Sequence, residues 1–253
     1  MTGEVYGAGP GRAARAWIPG DRRPRAYCAH MRREAVIFDF DGVLADSEPL
    51  HERSVAMAAR ERGWVVDVSD FSDRFVGQGD RMVFLTLAEE AGEALDEAGL
   101  GSMIVRKREL FRVLCAEMPP EPLAGGVELL RACAEALASF GGVGVCTGSR
   151  RPEVEPLLER FGVRNVLGSF VTADDVHRTK PDPACYLLSC ERLGVEPSRA
   201  VAIEDSPTGI ASAKAAGLRV IAVEHSFARD RLGEADAVVR TIAEITPGML
   251  LEI

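Results

Sequence analysis

Six short runs, Ala35–Phe40, Gly142–Thr147, Ser169–Thr172, Ala200–Glu204, Arg219–Val223 and Ala237–Val239, are rich in β-forming residues, and most are apolar throughout rather than alternating. A strand that is apolar on both sides must be covered on both sides, as it is inside a parallel sheet sandwiched by helices. The intervals agree. Amphipathic stretches near Val127–Phe140, Pro152–Phe161, Pro183–Leu193 and Pro207–Ala216 separate the runs, and three of these four open on proline, which a first helical turn tolerates. Strand and helix in alternation predict an α/β fold, a parallel sheet with helices on both faces.

One interval breaks the alternation. From about Ser47 to about Pro120 there is almost no β-rich run, and helices are predicted near Pro49–Arg62, Asp80–Ala91 and Ala98–Cys115, separated by Gly63, Gly77, Gly79 and Gly101. The spacing of Met82, Val83, Leu85, Leu87 and Ala88 is that of a packed helix, and Pro119-Pro120-Glu121-Pro122 marks the return of the chain. The expected organisation is a Rossmann-like core, residues 31–46 and 121–253, with a helical cap at 47–120 inserted after the first strand. Residues 1–30 carry five arginines against two acids, are rich in Gly and Pro, and have no periodicity, so a disordered arm is expected there. They lack the apolar segment of a secretory signal and, without serine, suit a transit peptide poorly. Met31, directly before the first strand, is an alternative natural start.

A formal charge of −9 argues against nucleic acid or an anionic membrane as the main partner, since both require clustered Lys and Arg. A phosphate ester remains open where cations are local. The six cysteines are scattered, with neither a CxxC pair nor zinc-ligand spacing, and read as free thiols of a reducing, cytoplasmic setting. A monomer or small homo-oligomer is expected.

In an open α/β sheet, ligands bind outside the carboxyl ends of the strands. The first run ends on Asp39 and Asp41, the second on Thr147-Gly148-Ser149 and the fourth on Glu204-Asp205-Ser206-Pro207, while Lys180 follows the third by a short loop. Two carboxylates delivered to one loop by a buried strand suggest a metal site, a covalent nucleophile, or both. These residue types suit phosphoryl transfer, which needs a nucleophile that can approach an anion, cations for the equatorial oxygens, and a proton for the leaving alkoxide. Asp39 can attack, and Asp41 can protonate the leaving oxygen and later take a proton from water. Thr147 can donate to a phosphoryl oxygen and Lys180 adds a point charge. A divalent cation is required because Asp39, Glu204 and Asp205 would otherwise repel the substrate, and oxygen-only ligands favour Mg²⁺.

The segments FDFDGV, CTGS, TKPDP and IEDSPTGI, in this order and spacing, resemble the four motifs of the haloacid dehalogenase superfamily, and the helical insert resembles the cap of its β-phosphoglucomutase-like branch. The resemblance covers residues 34 to about 240. It implies Asp39 as nucleophile and Asp41 as general acid/base. It further implies Thr147, Gly148 and Lys180 as phosphate ligands, and Asp39, the Asp41 main-chain carbonyl and Asp205 as Mg²⁺ ligands. Glu204 would bind the metal directly or through water. Members that cleave carbon–halogen bonds lack the second aspartate, so Asp41 points to phosphate esters.

Phosphatase and mutase separate less sharply. His51 resembles the mutase histidine that restrains the acid/base aspartate until the cap closes. The mutases also carry, a few residues beyond a glycine matching Gly77, an arginine for a second phosphate; here that position is Asp80, with Arg81 beside it. An acid there would repel a second phosphate, so the sequence leans to hydrolysis of a sugar or polyol phosphate, unless Arg81 takes over with a one-residue slip. Arg150, after Ser149, reads as a substrate contact or a solvated helix start. A catalytically idle binding protein is the alternative from another class.

Overall fold

The computed structural model describes residues 33–67, 71–75 and 78–253; the expectations for residues 1–30 and for Gly77 lie outside these. Strands β1 (Ala35–Phe38), β2 (Gly142–Cys146), β3 (Ser169–Val171), β4 (Ala200–Glu204), β5 (Arg219–Val223) and β6 (Ala237–Val239) form one sheet in the order β3-β2-β1-β4-β5-β6, each neighbour parallel. Between β1 and β2 come α1 (Glu48–Glu61), α2 (Phe71–Phe75), α3 (Asp80–Glu90), α4 (Glu97–Glu117) and α5 (Gly126–Ala136). Helix α6 (Arg151–Arg160) joins β2 to β3, α7 (Ala184–Leu193) joins β3 to β4, α8 (Pro207–Ala215) joins β4 to β5, and α9 (Pro247–Glu252) follows β6. Among the described residues no helix is long and apolar enough to cross a membrane.

The β1 run ends two residues earlier than its composition predicts. The Asp39 carboxylate accepts the Phe40 N–H at 2.7 Å, and the Phe40 carbonyl accepts the N–H groups of Leu44 and Ala45 at 2.8 and 3.1 Å, so the chain turns where the apolar run still continues. Helices α2 and α9 were not legible, being too short at five and six residues to show a period. Helix α5 stops four residues short of Phe140, which is left 60% exposed.

Side-chain alternation divides the sheet into unlike faces. Val36, Phe38, Val143, Val145, Val201 and Ile203 pack with Leu129, Leu130, Leu157 and Leu158 of α5 and α6. The opposite face presents Ala35, Ala200, Ala202 and Ala222 to α7 and α8, and the room left by these small residues is filled by Tyr186, which is wholly buried. Each large aliphatic or aromatic side chain so buried contributes about 1.5–3 kcal/mol. Helices α1–α4 have an apolar cluster of their own, including Val55, Trp64, Phe71, Phe75, Phe84, Leu100 and Leu110.

From β1 the chain builds outward through β2 to β3 on one side, then returns to add β4, β5 and β6 on the other. The strand order therefore reverses between β1 and β4, and such a reversal opens a crevice at the carboxyl ends of the two strands.

Candidate active site

Register places the first aspartate. Phe38 lies opposite Ile203, and the Asp39 N–H donates to the Ile203 carbonyl at 2.9 Å, so Asp39 leaves β1 beside Glu204, the last residue of β4. Asp39, Glu204 and Asp205 are buried, and a carboxylate oxygen from each lies within 4.8 Å of the others. Lys180 stands between two of them, its Nζ 2.8 Å from Asp39 Oδ1 and 2.6 Å from Glu204 Oε1. The Tyr186 hydroxyl, brought in by the alanine face, donates to Glu204 Oε1 at 2.5 Å, and the Ser226 hydroxyl donates to Asp205 Oδ2.

The backbone must come close to hold this cluster. A β-carbon on Gly42 would lie 1.8 Å from Asp205 Oδ2, and one on Gly209 would lie 2.0 Å from Glu204 Oε2.

Burial, then the neighbouring Glu204 charge, pushes the Asp39 carboxyl well above its usual range. The same two causes raise Asp205 to about 7, against the Ser226 bond. Burial works to lower Lys180, but Asp39 and Glu204 overcome it and hold the ammonium charged. Three buried carboxylates sharing one ammonium are short of positive charge, and their donor set is oxygen only. A hard divalent cation fits such a group.

Asp41 has a different environment. It accepts from the Ser47 hydroxyl on Oδ1 and from the Ser149 and Thr147 hydroxyls on Oδ2, the latter two at 2.8 and 3.3 Å, with His51 Nε2 3.8 Å from Oδ1. Burial acts to raise its pKa, but the His51 ring and the Ser47 and Ser149 hydroxyls prevail and hold it well below the usual carboxylate range. Its carboxylate stands apart from the three-acid group. His51 stacks on Phe111 with ring centres 4.1 Å apart, and its Nδ1 lies 2.8 Å from Lys107 Nζ. An ammonium has only protons to give, so Nδ1 accepts and Nε2 carries the proton that faces Asp41. Lys107 in turn pairs with Asp80 at 2.9 Å. A polar chain therefore runs from the β1 loop through α1 and α4 to the start of α3.

A cavity of about 740 Å³ lies between the sheet edge and α1–α4. Asp39, Asp41, Gly148, Lys180 and Asp205 line it, as do Arg150, His51 and Arg81, all anticipated from the sequence. Thr147 and Glu204 stand behind the wall, Thr147 turned to Asp41 and Glu204 wholly buried. Arg150 is paired with Asp174 at 2.6 Å, and Arg81 is held by Glu97 through two bonds of 2.8 and 2.6 Å. Asp80 does not present the uncompensated negative charge expected of it, because Lys107 neutralises it. Sequence reasoning missed Ser47, Lys107, Tyr186 and Ser226 as parts of the site, whereas Ser149, expected at the end of the second strand, stands there and donates to Asp41. Lys107 carried a signal, since it interrupts the buried stripe Leu100, Met103, Leu110, Phe111 and Leu114 of α4. Tyr186 and Ser226 carried none, because only tertiary packing brings them to the acids.

The family described as haloacid dehalogenase-like hydrolase matches residues 34–217. The validoxylamine A 7'-phosphate phosphatase of Streptomyces hygroscopicus subsp. limoneus is 31% identical over 223 residues, which cover 84% of this chain and 95% of that protein. The phosphorylated carbohydrates phosphatase of Thermotoga maritima is 33% identical over 224 residues, 87% of this chain and 99% of the other. Among solved structures, a mutant of CbbY from Rhodobacter sphaeroides in complex with xylulose-(1,5)bisphosphate has a TM-score of 0.75 at 28% identity, covering 87% of this chain and all 100% of that one.

Proposed function

This chain belongs to the haloacid dehalogenase-like hydrolases, and from that premise we propose that it is a Mg²⁺-dependent phosphatase of a small phosphorylated metabolite, a sugar or polyol phosphate. The observation that carries the reading is the division of labour between two aspartates two residues apart. Asp39 sits in a carboxylate cluster with Lys180, whereas Asp41 is held away from that cluster by hydroxyls and His51.

In this reading Asp39 attacks the phosphorus in line and becomes an aspartyl-phosphate, while the leaving alkoxide takes a proton from Asp41. Water, deprotonated by Asp41, then hydrolyses the intermediate. Lys180 holds Asp39 in place and adds positive charge beside the phosphoryl group, and the wall at Gly148 and Ser149 receives its oxygens. Asp39, Asp205 and the Asp41 main-chain carbonyl would hold Mg²⁺, with Glu204 binding directly or through water. When bound, the ion neutralises the phosphoryl charge that the acids would repel. Since Asp41 rests well below the usual carboxylate range, its protonation for catalysis requires a changed environment. Residues 47–120 serve as a cap, and a shift of α1–α4 that draws His51 from Asp41 supplies that change and expels water.

Among the readings of the same chemistry, hydrolysis is favoured over mutase action because the relatives at 31% and 33% identity are named phosphatases. The free thiols of Cys115, Cys133, Cys146, Cys185 and Cys190 fit a reducing cytoplasm. The test is phosphate release from a panel of sugar, polyol and short-acid phosphates, with Mg²⁺ and with chelator, using Asp39→Asn as the blank. Metal-dependent release that is absent in the variant supports the phosphatase. Silence across the panel, with turnover of a hexose phosphate only when its bisphosphate is added, would support the mutase instead.

A further inference from the structure

Helix α4 turns Ile104, Lys107 and Arg108 toward the cavity that Asp39 lines, as their spacing of three and four residues requires. The cations of that wall differ in one respect. Lys180 is taken by Asp39 and Glu204, Lys107 by Asp80, Arg81 by Glu97 and Arg150 by Asp174. Arg108, half-buried, has no carboxylate or hydrogen-bond partner among the described residues. A guanidinium that faces the cavity without an internal partner keeps its fork of donors available, and that fork matches an oxyanion in two-point fashion. A neutral hydroxyl could accept from it but would leave the charge uncompensated.

We infer that Arg108 selects the substrate by receiving a second oxyanion, a carboxylate or a second phosphate, at the end of the molecule away from the ester bond that is cleaved. This rests on the phosphatase reading above and narrows it from phosphate esters in general to those with a further negative group. Arg108 touches the distal group only and has no part in the bond-breaking step. Its loss therefore acts on binding rather than on the chemical rate.

The experiment compares matched esters: a hexose monophosphate with the corresponding hexose bisphosphate, and glycerol phosphate with phosphoglycerate. Each is assayed with the wild type, Arg108→Gln and Arg108→Lys. The wild type should prefer the member of a pair that carries the second oxyanion. Arg108→Gln should raise the KM for that member by about tenfold or more with kcat little changed, and move its neutral partner far less. Arg108→Lys should recover part of the loss, and the two pairs show whether carboxylate or phosphate is the better fit. Equal treatment of both members by the wild type, or equal loss on both in Arg108→Gln, would overturn the assignment. Failure of the wild type to release phosphate from any ester would count against the phosphatase reading instead. In that event calorimetric binding of the bisphosphate to Asp39→Asn protein with Mg²⁺, with and without Arg108→Gln, still decides the matter: unchanged affinity contradicts the role of Arg108, and a drop of about tenfold supports it.

Discussion

Gly42 is constrained twice over. Its φ of +73° suits glycine, and a β-carbon there would overlap the carboxylate of Asp205. Gly42→Ala should therefore lower stability by about 1–3 kcal/mol and displace Asp205, reducing the apparent affinity for Mg²⁺. Urea denaturation and metal titration of activity check this, and an unchanged midpoint with unchanged metal dependence would refute the close packing described. The carboxylates also set a pH dependence. Asp205 is raised from 3.8 to about 7 in the folded protein, so between those values the native state holds a proton that the unfolded chain releases. The metal-free protein should lose stability as pH rises from about 4 to about 7. Asp41, held low, acts with the opposite sign, but only below about pH 4, where its contribution is lost as it protonates. Added Mg²⁺ should raise the melting temperature more at pH 8 than at pH 5, as thermal scans with and without chelator would show; a constant increment would count against the charge-deficient cluster.

At the level of elements, the alanine face of the sheet lies behind the candidate active site. Tyr186 shares the buried cluster that Ala200 and Ala202 enter from β4, and its hydroxyl reaches Glu204 at the end of that strand. Ala202→Leu should cost about 1–3 kcal/mol by overpacking and should lower turnover as well, since Tyr186 and Lys180 lean on the same acid. Chemical denaturation with parallel rate measurement tests this, and loss of stability with an unaltered rate would separate the packing from the site. Between helices, Lys107 ties α4 to both α3 and His51 of α1. Lys107→Met should shift the acidic limb of the pH–rate profile upward, because His51 loses the partner that fixes its tautomer toward Asp41 and holds that carboxyl low less firmly. A wild-type pH–rate profile in that variant would argue that the chain of contacts is structural only.

Across the whole molecule, what was legible in the sequence follows from what each signal depends on. Strands β4 and β5 matched their apolar runs residue for residue, because a buried parallel strand writes its burial into consecutive residues, and the partly buried edge strand β6 matched as well. The motif residues Asp39, Asp41 and Asp205 were legible because each stands at or just beyond a strand end, where topology alone carries them to one edge, and Lys180 because it lies in the loop between β3 and α7. Ser226 and Tyr186 reach the same acids through tertiary packing, which has no period to read. The pairing of Asp80 with Lys107 was hidden for the same reason, and it neutralises that acid.

Asp39 is proposed to carry the phosphoryl moiety, and rapid acid quench of the wild type with a radiolabelled ester and Mg²⁺ tests this directly. The prediction is transient label on the peptide containing Asp39, released by hydroxylamine and missing from Asp39→Asn. Turnover without labelled protein, in an Asp39→Asn variant that remains active, would contradict it.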